Sequence, residues 1–180
     1  MNILSRLFLL ILLIGALANA GCDTKTASTK NDLVLHYIDL SNKTMPASMV
    51  LDDNASKIMD NSLAAAQAAD FPRDQANYLM VCQKADLLKH YVGTCSSHFT
   101  VQHLIADAEV NRDTQLEVDS VLKHAREAIA GRIGDELSLI PDYIAATDDA
   151  QLQELLRKLQ SAMSETKSMV EGSLPTNTYN

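Results

Sequence analysis

The sequence predicts an all-α protein, a helical bundle of about four main helices with short accessory helices and one disulfide bond. Apolar residues recur at spacings of three and four over most of the chain. Trp is absent, and the 180 residues include only five Tyr and three Phe. Sheets are rich in aromatic and β-branched side chains, so their scarcity favours helices.

The first 21 residues are typical of a secretory signal peptide. Arg6 precedes a short apolar run over residues 7–14, and small residues follow to Gly21. The apolar run is too short to cross a bilayer comfortably. We therefore expect residues 1–21 to be removed and exclude them from the fold.

Two cleavage sites lie within three residues of each other. Ala18-Asn19-Ala20 fits the general signal peptidase, which would release a soluble protein that begins at Gly21. Ala20-Gly21-Cys22 resembles the lipobox of bacterial lipoproteins, and this resemblance covers residues 1–22 alone. The resemblance implies that the Cys22 thiol carries a diacylglyceryl group and that the protein is acylated with a fatty acid such as palmitate. It also implies that the protein is attached to the periplasmic side of a membrane, either the inner or the outer one.

The cysteine count favours the lipoprotein interpretation. The chain has three cysteines, and an odd cysteine is unusual in an oxidising compartment. Acylation of Cys22 leaves Cys82 and Cys95, which we expect to form a disulfide. That bond requires the helix that carries Cys82 to end near Leu88 or the chain to fold back sharply.

The mature chain then divides into a lipidated flexible tether over residues 22–31 and a helical domain over residues 32–172. In the domain, a brief helix is predicted over residues 32–38, and Met45-Pro46 is expected to interrupt the helical structure. A helix is predicted from Asp52 or Asp53 to about Ala69. Asp70-Phe71-Pro72 should end that helix and start the next.

The middle of the domain contains several helix-breaking or capping residues. The helix from Pro72 is expected to close at Gly93, and Ser96-Ser97 should cap a further helix. We favour one long helix over residues 98–131 whose apolar face shifts along its length. The alternative is a division near residues 111–113, where Thr114-x-x-Glu117 matches a capping box.

The last part of the domain carries the strongest helical pattern. Gly131, Gly134 and Pro141 predict a loose segment with one short helical turn over residues 135–140. Thr147-Asp148-Asp149 should cap the final helix, on which Glu154 and Lys158 pair at i, i+4. Its apolar face comprises Leu152, Leu155, Leu156, Leu159, Met163, Met169 and Val170. Gly172 and Pro175 should end it and leave a mobile tail over residues 173–180.

No pattern in the chain predicts catalysis, a cofactor or a bound metal. There is no nucleophile motif, no glycine-rich phosphate loop and no His-Glu-x-x-His. The histidines are scattered, and two of them on one predicted helix are five residues apart, which places them on different faces. The five are His36, His90, His98, His103 and His124. Met45 and Met49 suit either a soft metal or, more simply, two apolar anchors in a loop.

The composition and the predicted export signal together predict a binding role. With 15 Lys and Arg against 23 Asp and Glu, the net charge of −8 argues against nucleic acid as a partner. We expect a non-enzymatic lipoprotein that binds another envelope protein, as an assembly factor, an exclusion or immunity protein, or a complex subunit. The alternative is a carrier of a small ligand, metal or haem inside the bundle, and an enzyme ranks third.

Overall fold

The computed structural model describes residue 35, residues 38–108 and residues 110–172, which form four helices. Helix α1 covers residues 38–68, α2 Pro72–Asp107, α3 Arg112–Ala145 and α4 Ala150–Val170. Leu35 is also helical, and these ranges contain no strand. The all-α bundle is confirmed. The signal peptide, Cys22, the tether and the tail over residues 173–180 lie outside the described residues.

Helix α1 continues through Met45-Pro46, so the predicted break there and the predicted start at Asp52 or Asp53 are wrong. Pro46 is exposed, while Ala47 and Leu51 are fully buried one turn apart. A proline inside a helix removes one backbone hydrogen bond. The burial of the opposite face outweighs that loss, because helices in proteins are stabilised mostly by packing.

Helix α2 begins at Pro72 as predicted but does not end at Gly93. Val92, Cys95 and Phe99 form a continuous buried stripe across the glycine. Ser97 does not cap a new helix, because its hydroxyl donates to the Gly93 carbonyl one turn back at 2.9 Å. Glycine in a helix interior costs about 1 kcal/mol relative to alanine, which this stripe offsets.

The chain divides at residues 108–111, so the favoured single helix over residues 98–131 is wrong and the alternative division is right. Asn111 caps α3, since its side-chain oxygen accepts from the Asp113 backbone N–H at 3.0 Å. The cap therefore lies three residues before Thr114, and the capping-box pattern does not mark the helix start. Gln115 closes the turn by donating to the Ile105 and Val110 carbonyls at 3.3 and 3.2 Å.

Helix α3 runs without interruption through Gly131, Gly134 and Pro141, where a loose segment was predicted. Pro141 is exposed, and the neighbouring Ile140 is fully buried. The physical reason is the one seen at Pro46. Apolar burial on one face carries the helix past a proline whose ring points to solvent.

Helix α4 agrees with its prediction in its start, its buried face and its end. Asp149 is the N-cap, and its side chain accepts from the Gln151 and Leu152 backbone N–H groups at 2.9 and 3.1 Å. All seven residues of the predicted apolar face are buried. Glu154 and Lys158 form the predicted ion pair at 2.6 Å. Gly172 ends the helix with φ of +72°, a conformation that favours glycine.

The four helices differ in length, and this difference shapes the bundle. At 1.5 Å per residue, α2 with 36 residues is about 54 Å long and α4 with 21 residues about 32 Å. Val170 at the end of α4 lies beside Arg126 and Ala130 in one surface groove. Helix α4 therefore stops near the middle of α3. The last turns of α2 and the first turns of α3 project beyond it, and we call this region the hairpin end.

Candidate binding surface

An apolar patch lies on the outer face of α1. Met45 and Met49 are 52% and 70% exposed, and their spacing of four places them on one side of the helix. We call these two residues the methionine patch. The sequence identified both of them as apolar anchors in a loop, whereas the structure places them on a helix and directs them to solvent.

The position of the patch relative to α2 follows from Lys89. Its ammonium group donates to the Ser56 hydroxyl at 3.0 Å and lies 3.7 Å from the Asp52 carboxylate. These contacts fix an antiparallel pairing that brings Met49 level with about Gly93. A Cβ atom at Gly93 would meet nothing within 4 Å. Helix α2 therefore presents no side chain at Gly93, at about the axial level of Met49.

A buried polar network joins α2 to α3 inside the hairpin end. Gln102 is 4% exposed, and its amide donates to Asp119 at 3.3 Å and accepts from Arg126 at 3.0 Å. The Arg126 guanidinium also lies over the Phe99 ring, 4.8 Å from its centroid. Such networks specify how helices pair when their members are satisfied. No sequence pattern predicted this network, although Gln102 continues the stripe of Cys95 and Phe99 at helical spacing.

The four histidines that the structure describes do not come together as a metal site. His98 and His103 each have a buried Nδ1 without a hydrogen-bond partner among the described residues, but they lie on different sides of α2. Burial lowers the pKa of His98, and the nearby Arg126 lowers it further. His90 and His124 are exposed, and His36 is outside the described residues. Within the described ranges, no three His, Cys, Asp or Glu side chains gather closely enough to hold a metal ion.

The predicted Cys82–Cys95 disulfide is absent, and both cysteines are free thiols. They lie thirteen residues apart on the same uninterrupted helix, or about 20 Å along its axis. A disulfide needs Cα atoms about 4.4–6.8 Å apart. The prediction required α2 to end near Leu88, and the helix does not end there. Burial raises the pKa of the Cys95 thiol to about 11, although Arg126 acts in the opposite direction.

A partly buried ion pair holds α2 and α3 together near their middle. Lys84 pairs with Glu136, and its ammonium group lies 5.7 Å from the centroid of the Tyr143 ring. The carboxylate satisfies the charge of Lys84, and the ring covers the ammonium group. This arrangement supports a structural contact and leaves Lys84 paired within the bundle.

Two grooves of the described surface are open to solvent. One of about 590 Å³ lies between α3 and α4, where Lys123 faces Glu127 at 3.9 Å and Lys167 pairs with Glu171. Another of about 520 Å³ lies beside the exposed Phe71. The largest fully buried side chains include Leu51, Leu88, Ile133, Ile140, Leu156 and Leu159, which fill the interior.

The chain matches no protein-family model, and no curated protein and no solved structure is detectably similar to it. Among the described helices, none is both long enough and apolar enough to cross a membrane.

Proposed function

We propose that the protein is a non-enzymatic binding or accessory lipoprotein, anchored by a lipid at Cys22 on the periplasmic side of a bacterial membrane. It engages another envelope protein through the methionine patch. The observation that carries this proposal is the 70% exposure of Met49 on a helix whose opposite face is fully packed. Methionine is flexible and polarisable, which suits a surface that adapts to a partner.

The close packing of the described core supports binding at the surface over transport of a ligand inside the bundle. A carrier encloses most of its ligand in a cavity. Here the apolar face of α4, including Leu156 and Leu159 at 0% exposure, is buried against the other helices. That face is therefore not available to a partner, whereas the methionine patch is.

The binding role is tested by photo-crosslinking in native membranes. A photoreactive amino acid at Met49 should give one discrete protein adduct. The same group at Val121, which is 63% exposed on α3, is the matched control and should give none. Met49→Glu should abolish co-purification of the crosslinked partner, while Val121→Glu should retain it. Identical adducts at both positions, or none at Met49, would contradict the proposed surface.

The anchor is tested separately at Cys22. Cys22→Ser should block labelling with a radioactive or clickable fatty acid and move the protein from the membrane to the soluble fraction. Two lipid chains give stable anchoring, whereas one is marginal. A mature N-terminus that begins at unmodified Gly21 would contradict the anchor and favour a soluble periplasmic protein.

A further inference from the structure

The hairpin end carries exposed leucines on both of its helices. Leu104 in the last turn of α2 is 58% exposed, and Leu116 in the second turn of α3 is 54% exposed. Val101, one turn before Leu104, is 39% exposed. These side chains are not needed for the packing of the bundle, which uses Phe99 and Gln102 at the same level of α2.

The start of α1 lies at the same end of the molecule. Lys89 on α2 contacts Asp52 on α1, and the two helices are antiparallel. Residue 38, where α1 begins, precedes Asp52 by fourteen residues, and His103 follows Lys89 by fourteen. At an equal rise per residue, the start of α1 is level with the last two turns of α2, where Leu104 lies. Leu35 is itself helical and 56% exposed, so it extends the apolar surface of the hairpin end.

The distance along the chain places this end closest to the lipid anchor. Leu35 follows Cys22 by thirteen positions, and this length of chain spans at most about 45 Å when fully extended. The other end of α1, at residue 68, is about 45 Å further along the helix from residue 38. A short tether raises the effective concentration of whatever it holds near a surface. Of the two ends of the bundle, the hairpin end therefore has the shorter chain path to Cys22.

We propose that the hairpin end rests on the lipid surface, with Leu104 and Leu116 inserted among the headgroups. This inference rests on the proposed lipid anchor at Cys22. The side chains of Leu104 and Leu116 leave water for the interfacial layer, where apolar faces bury about 5–10 Å deep. The methionine patch then lies about 20 Å further along α1, in the aqueous space where a protein partner reaches it.

Charge supports an apolar contact over an electrostatic one. Near the hairpin end, Lys43 is paired with Asp39 at 2.6 Å, and the exposed Arg112 is accompanied by Asp113 and Glu117. The whole chain carries a net charge of −8. Anionic lipids therefore offer this end no net attraction, and the contact should form equally well on a zwitterionic bilayer.

The absence of tryptophan from the chain allows a direct test with single reporters. The lipidated full chain carrying Leu104→Trp or Leu116→Trp is placed in zwitterionic phosphatidylcholine vesicles whose acyl chains are brominated near the headgroup. Both reporters should lose most of their fluorescence and shift to shorter wavelength. Phe71→Trp at the opposite end, where Phe71 is 68% exposed, is the control and should keep its emission.

The outcomes separate this inference from the anchor. Mass spectrometry shows whether the N-terminal peptide carries lipid. If it does and the fluorescence of both the Leu104→Trp and the Leu116→Trp variants is unquenched, the contact is overturned while the anchor stays intact. Equal quenching of all three reporters would also overturn it. An N-terminal peptide without lipid would overturn both. Circular dichroism verifies that each variant is folded, and Val101→Trp replaces a reporter that disturbs the helix.

Discussion

Tyr78 and Asp149, which are 71 residues apart in sequence, share a hydrogen bond of 2.5 Å that joins the start of α2 to the start of α4. The phenol donates to the same carboxylate that caps α4. This bond lowers the pKa of Asp149, and burial together with the bond raises the pKa of Tyr78 to about 12. One carboxylate thus both begins a helix and fixes its position on its neighbour.

Tyr78→Phe should lower the free energy of unfolding by about 1–3 kcal/mol, because a hydrogen bond to a charged group is lost. The ring of Tyr78 is 5% exposed and stays packed in the variant. Urea unfolding followed by circular dichroism measures the change. Tyr91→Phe is the control, since the Tyr91 hydroxyl makes no hydrogen bond with the described residues, and it should be nearly neutral. Equal effects of both substitutions would contradict a role for the bond.

The Tyr78 phenol should also make stability sensitive to alkaline pH. Its pKa is raised from 10.0 to about 12 in the folded state. The stabilisation is therefore complete below pH 10, where the unfolded phenol titrates, and is lost as the pH rises towards 12. The stability difference between the wild type and Tyr78→Phe should shrink over this window. Unfolding free energies at pH 8, 10 and 11 test this, and a constant difference would contradict it.

The sequence predicted α4 in full, as well as the end of α1 near Ala69 and the start of α2 at Pro72. The other helix boundaries were misplaced. In α4 the cap at Asp149, the apolar face and the end at Gly172 all indicate the same helix. In α1, α2 and α3, the local signals at Pro46, Gly93 and Pro141 indicate breaks. Burial on the opposite faces overrides those signals, and burial depends on neighbouring helices that a single sequence does not reveal.

The candidate surface was predictable only in part. The sequence pattern singled out Met45 and Met49 as a pair. Their exposure on one side of a helix, however, follows from the continuation of α1 through Pro46. The contact of Gln102 with Arg126 depends on α3 folding back over α2 after residue 108. The favoured single helix over residues 98–131 would have kept these two side chains far apart. Their pairing is therefore a consequence of the turn that Asn111 caps.

Leu156→Ala should lower the free energy of unfolding by about 2–5 kcal/mol, the range for deleting a buried leucine. Leu156 is 0% exposed and lies among the other helices. Leu139→Ala, at a position 43% exposed on α3, is the matched control and should change stability by about 0.5 kcal/mol or less. Thermal and urea unfolding measure both. An unchanged melting curve for Leu156→Ala would mean that α4 does not pack as described.

Gln102→Leu should destabilise the hairpin end by about 1–3 kcal/mol, because Arg126 loses a buried acceptor and Asp119 loses a donor. Hydrogen exchange should accelerate in the last turns of α2 and the first turns of α3, with smaller changes in α4. Gln83→Leu, at an exposed position on the same helix, is the control. Uniform acceleration over the whole bundle would indicate a general loss of stability rather than a local role for the network.

The two cysteines of α2 should behave as free thiols of very different reactivity. Cys82 is half-buried and should react with a thiol reagent at pH 8. Cys95 is 0% exposed, and burial raises the pKa of its thiol to about 11, so the reactive thiolate is scarce. In Cys82→Ser the rapid phase should vanish, and Cys95 should react only when the bundle opens in urea. If neither thiol reacts in urea until a reductant is added, the two cysteines are oxidised. A disulfide between them within one chain would then contradict a continuous α2 from Cys82 to Cys95.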